Sequence, residues 1–161
     1  MSYFSLNFLV KMVSCIFASV FFGIIFKINK RHLLYIGICA TVMYATYYSI
    51  IYFNGTDFSA AFFSTAVAAI FAEFFARVRK APAVIFILPS VISTVPGGSL
   101  YYTMRGFLSA DYNEAIKHLL VSIRVGGGIA GGIVAVSIIS TLIFDFIRKR
   151  RTKRAKRNLG N

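Results

Sequence analysis

An all-α, polytopic integral membrane protein with about five transmembrane helices, the fourth broken by proline and glycine, is the fold class this sequence predicts. Three observations carry that expectation. The chain is 58% hydrophobic and only 14% charged over 161 residues, whereas a soluble domain is about half apolar and about a quarter charged. Its mean hydropathy is +0.73. Its apolar residues fall into five runs, most of them near the roughly 20 residues that cross a hydrocarbon core.

The runs cover about 8–26, 33–53, 58–76, 83–103 and 118–147. They are too long and too continuously apolar to be the alternating strands of a membrane barrel. Residues 1–147 are thus expected to form a membrane domain, and 148–161 a basic cytoplasmic tail. The N-terminal stretch "MSYFSLNFLVK" has no positive n-region of the secretory kind, so the first run reads as a retained helix.

Charge gives an orientation. The formal net charge is +13, yet eight of the 18 basic residues lie within "RKRRTKRAKR" at 148–157. Directly after an apolar helix, such a tract reads as an anchor to anionic membrane lipid rather than a nucleic-acid surface. Lys27, Lys30 and Arg31 follow the first run, and Arg77, Arg79 and Lys80 the third. The loop "NGTD" has no basic residue, and "RGFLSADYNEAIK" has two of each sign. Basic connections alternate with neutral ones, which places three on the cytoplasmic side and two outside. Four spans with a re-entrant fourth run are the rival count. That arrangement would put the basic tail outside, against the charge pattern.

Within the fourth run, prolines stand at 82, 89 and 96, seven residues apart each time. Each removes a backbone donor and crowds the carbonyl one turn back. The carbonyls so freed need partners, so the segment is expected to face protein or water rather than lipid. In "VPGGSLYYTM", Pro96, Gly97, Gly98 and Ser99 read as the irregular, substrate-binding backbone of a discontinuous helix. A kinked packing helix is the plainer reading of the prolines alone.

The fifth run opens with "SIRVGGGIAGGIVAVS". Gly127 with Gly131, and Gly128 with Gly132, form two small-xxx-small pairs suited to close helix packing. The sequence leaves open whether they join a second copy or another subunit. Arg124, beside them, is a candidate clamp for a substrate carboxylate, because a guanidinium offers two parallel hydrogen bonds. Snorkelling to the outer interface is its alternative. Glu73 lies four residues before Arg77, so the two can pair along a helix face, and Glu73 is the candidate proton relay.

The other polar residues read more plainly. Lys11 can reach the outer interface along its stem. Asp145 is placed to pair with Arg148 or Lys149. Tyr44 to Phe53 reads as an interfacial aromatic belt. Cys15 and Cys39 read as small hydrophobes, and neither they nor His32 and His118 have a metal-site spacing. The sequence has no nucleophile–base constellation and no phosphate or dinucleotide motif, which argues against an enzyme and against a cofactor.

Over residues 72–104, "AEFFARVRKAPAVIFILPSVISTVPGGSLYYTM", the chain resembles the threonine/serine exporter family. The likeness is to the C-terminal membrane module, which some bacteria encode as a separate small subunit. It rests on the basic turn before Ala81 and Pro82, then Pro89, then Val95 to Gly98 with Tyr101, Tyr102 and Met104 behind. The glycine-rich last helix, Gly126 to Gly132, also fits. The resemblance implies a secondary transporter in the bacterial inner membrane that exports threonine and serine, or a dicarboxylate such as succinate. It further implies a proton-gradient drive and a complementary membrane subunit. A non-transporting scaffold, with glycine faces for assembly and a basic tail for lipid, is the alternative function.

Overall fold

The computed structural model describes the backbone of residues 2–159 and the side chains of residues 8–143. The expected pairing of Asp145 and the side chains of the basic tail lie outside the described residues. Six helices make up the fold: α1 (Ser2–Ile25), α2 (Lys30–Tyr52), α3 (Asp57–Arg79), α4 (Val84–Ile92), α5 (Gly97–Leu108) and α6 (Tyr112–Leu159). Four are long and apolar enough to cross a membrane, and α4 with α5, bent by 53° at their break, makes a fifth if the pair is one span rather than a re-entrant loop.

Local chemistry sets the ends. The side chain of Asn29 accepts from the Arg31 amide at 3.2 Å and caps α2. Thr56 accepts from the Ser59 amide at 3.3 Å and caps α3, whose first turn carries Asp57 and whose last carries Arg77 and Arg79. That charge order opposes the helix dipole favourably at both ends. Lys80, at φ 51°, turns the chain out of α3 in the left-handed conformation. α6 starts at Tyr112, well ahead of the expected 118. The reason is Asp111, whose carboxylate accepts from the Glu114 amide at 3.2 Å and starts the helix within the polar stretch.

The expected break in the fourth span is present. α4 ends at Ile92, and Pro96, at φ −77° and ψ 58°, precedes α5. Serine hydroxyls line this segment: the buried Ser90 Oγ donates to the Phe86 carbonyl at 2.8 Å, the usual back-bond of a helical serine, and lies 3.2 Å from the Ile36 carbonyl of α2. Ser93 Oγ donates to the Ser90 carbonyl at 3.0 Å and meets Cys15 Sγ of α1 at 3.0 Å. Cys15 is therefore a polar partner of the break, more than the small hydrophobe read from sequence. Cys39 is fully buried in the apolar core.

α2 is central, with Ile36, Cys39, Ala40 and Met43 fully buried, and α3 turns a face of Ala60, Ala61, Ala68, Ala69 and Ala72 inward. α4 packs on α1, α2 and α3, whereas α5 packs on α6. The bend at Pro96 thus carries the span from one neighbourhood to the other. α6 lies along α3, where Gly128 and Gly132 bring the two backbones together. A Cβ at Gly128 would stand 2.7 Å from the Phe58 carbonyl, and one at Gly132 2.6 Å from the Phe62 carbonyl. Small residues permit this approach, as in other tightly crossed membrane helices. In this chain the glycine face joins two of its own helices.

Candidate transport site

Two polar places interrupt the apolar bundle. The first is the start of α5. Here Pro96 lacks an amide proton, the Gly97 amide donates to the Val95 carbonyl at 2.7 Å, and the Leu100 amide donates to the Pro96 carbonyl at 3.0 Å. The first-turn amides have no acceptor one turn back, so they carry the positive end of the helix dipole. A Cβ built on Gly97 or Gly98 meets nothing within 4 Å. The expectation that neighbouring protein shields this backbone is not met inside the chain. The physical cause is the bend, which turns α5 away from α1 and α2 and leaves its first turn open.

Arg124 is level with that turn. α5 and α6 form an antiparallel hairpin: Gly106 abuts Ala115, and Tyr102 stacks on His118 at 5.1 Å between ring centroids. Continued along the pair, the same register puts Gly97 at the height of Arg124, but each is about two and a half turns from the Gly106–Ala115 contact, so Arg124 lies on the face of α6 turned away from α5. Arg124 is exposed and has no hydrogen-bond or ion-pair partner among the described residues. It sits more than three turns into α6, deeper than the two turns the sequence suggested. The structure therefore leaves the first turn of α5 and the Arg124 guanidinium at one height without turning them toward each other. Ser99 has its carbonyl engaged by Thr103 Oγ1 at 2.7 Å.

The second place is near the other end of α3. Glu73 and Arg77 make the i, i+4 pair expected from sequence, with Nη2 and Oε2 3.3 Å apart. Ser140 of α6 completes a triangle that the sequence did not disclose. Arg77 Nη2 donates to Ser140 Oγ at 2.6 Å, and Ser140 Oγ donates to Glu73 Oε2 at 3.0 Å. No periodicity links residue 140 to residue 73. Only the α3–α6 packing brings them together. A Cβ at Gly127 would stand 3.9 Å from the Phe58 ring, and one at Gly131 3.2 Å from the Phe62 ring. Of the site residues, Glu73 is brought to Arg77 and Ser140, whereas Pro96 to Ser99 and Arg124 share a height but not a face.

Among the described residues no group of histidine, cysteine or acidic side chains has the geometry of a metal site. The family model described as threonine/serine exporter, ThrE, matches residues 11–139. No curated protein and no solved structure matches.

Proposed function

Because this chain belongs to the threonine/serine exporter family, a family of membrane transporters, we propose that it is one subunit of a secondary exporter of small amino or organic acids. The substrate carboxylate is held at the open first turn of α5, at Pro96, Gly97, Gly98 and Ser99, with Arg124 as its counter-charge. Threonine and serine are the expected substrates, and a dicarboxylate such as succinate is the other class with the right chemistry. Glu73 relays protons, and the proton gradient drives export. Gly127, Gly128, Gly131 and Gly132 hold α6 in register.

The reading is supported by one observation: a broken fourth apolar segment whose glycine pair is left open at the start of α5. Backbone and charge left open to hydrocarbon cost several kcal/mol on most scales. A separately encoded membrane subunit that covers this face removes that cost and closes the site. The complex works in the bacterial inner membrane, with the end of α6 in the cytoplasm against anionic lipid. The test is efflux of labelled threonine, serine and succinate from cells with and without the chain and its genomic neighbour, before and after the proton gradient is collapsed. Export that depends on the chain and on the gradient is expected. Unchanged efflux of all three compounds overturns the proposal.

A further inference from the structure

α2 turns Ile36, Cys39, Ala40 and Met43 into the core. On its other side an open groove of about 460 Å³ runs between α1 and α2. Ile16 and Val20 of α1 form one wall, and Leu33, Leu34, Gly37 and Ile38 of α2 form the other. Thr41, its one polar lining residue, is satisfied within α2, where Oγ1 donates to the Gly37 carbonyl at 2.8 Å. A polar ligand would leave its own groups unpaired along this wall, so the groove suits hydrocarbon.

The two ends of the groove narrow the choice of occupant. At one end the stripe of Leu34, Ile38 and Thr41 continues into Tyr44 and Tyr48. The Phe8 ring of α1 packs on both tyrosines, at 5.8 and 4.7 Å between centroids, and closes the hairpin there. At the other end Lys30 and Arg31 lie one turn before Leu34 on the same face of α2, and Lys27 stands in the turn that joins the helices. All three cations are exposed. No acidic residue precedes Asp57 in the chain, and among the described residues none of the three has an ion pair. From Leu33 to Thr41 is about 12 Å along the axis. One leaflet contributes roughly 15 Å of hydrocarbon. A helix of another protein would cross both leaflets and run into the Phe8 contact.

We propose that this groove binds an anionic phospholipid, with an acyl chain along Ile16, Val20 and Ile38 and the phosphate at Lys30 and Arg31. Basic groups at the head of an apolar cleft between membrane helices offer such a lipid both of its requirements. A zwitterionic phospholipid fills the groove equally well, but its headgroup cation is repelled by the three positive side chains. The chain therefore supplies grip and the headgroup supplies choice. This assignment goes beyond the exporter reading and needs only that α1 and α2 lie in a membrane.

The experiment titrates the purified full-length chain in detergent micelles with dioleoyl phosphatidylglycerol or dioleoyl phosphatidylcholine, and counts bound lipid by native mass spectrometry. The wild type is expected to prefer phosphatidylglycerol by about tenfold or more. Lys30→Gln combined with Arg31→Gln should abolish the preference, although the basic tract at 148–157 is intact. A Cβ at Gly37 meets Ile16 and Val20 at 3.6 and 3.8 Å, which is ordinary contact, so Gly37→Leu puts its further atoms into the groove. It should weaken binding of both lipids. Leu34→Asn, at a position 72% exposed, makes the same test should Gly37→Leu fail to accumulate. Preference absent in the wild type, or retained in the double variant, overturns the proposal, the latter by assigning the choice to the tail. Full competition by glycerol 3-phosphate overturns it in favour of a surface phosphate site. Unchanged lipid binding with an altered oligomeric mass in the groove variant overturns it in favour of a second protein chain.

Discussion

Gly132 of α6 rests on the carbonyl of Phe62 in α3, where even a methyl group would stand 2.6 Å from the oxygen. Further along both helices Ser140 meets Glu73. Contacts that advance in the same direction on both helices mean that α3 and α6 run parallel. Parallel crossing helices enter from the same side, so the segment between them must itself traverse the bilayer. Had the α4–α5 segment been re-entrant, α6 would run against α3. The parallel packing of α3 and α6 favours five crossings over four.

Connections at Thr56 and Ala110 should therefore share one side of the membrane, and those at Asn29 and Ala81 the other. Single cysteines at these four positions, in a chain carrying Cys15→Ala and Cys39→Ala, would be labelled with an impermeant maleimide in intact cells. Labelling of 56 and 110 without 29 and 81 is expected. Opposite behaviour of 56 and 110 would restore the four-span arrangement.

Valine at Gly128 or Gly132 should force α3 and α6 apart, because the added atoms meet backbone rather than a yielding side chain. Overpacking of this kind costs about 1–3 kcal/mol. Thermal denaturation in detergent should show a lowered midpoint for both variants. Gly126→Ala is the control, since a Cβ there meets nothing within 4 Å, and it should melt with the wild type.

Alanine at Gly97 or Gly98 should leave the fold unchanged, as there is open space at both and neither has a positive φ. Transport should fall if substrate approaches this backbone. Normal assembly with reduced efflux supports the site and excludes a pure scaffold. Failed assembly with any residual flux unaltered favours the scaffold.

Ser90→Ala removes a fully buried hydroxyl that donates to the Phe86 carbonyl and lies 3.2 Å from the Ile36 carbonyl of α2. Hydrogen bonds of this kind inside membrane proteins average about 0.6 kcal/mol. A small loss of stability is expected, measurable by the same denaturation. A loss of several kcal/mol would mean that the broken span depends on this one bond.

By itself the sequence determined the class, the number of apolar runs, the break at Pro96 and the Glu73–Arg77 pair. These are local properties: run length against bilayer thickness, a missing amide proton, and the i, i+4 geometry of one helix. The start of α6 was hidden because a capping aspartate and a charged first turn look like a loop when hydropathy alone is weighed. Tertiary structure decided the rest. It set α6 parallel to α3, turned the glycine face onto the chain's own Phe58 and Phe62, made Cys15 a partner of Ser93, and carried Ser140 to Glu73. Those outcomes depend on which helices pack together and in what register, and in an almost uniformly apolar chain that choice is made by close-fitting shape, which hydropathy does not encode.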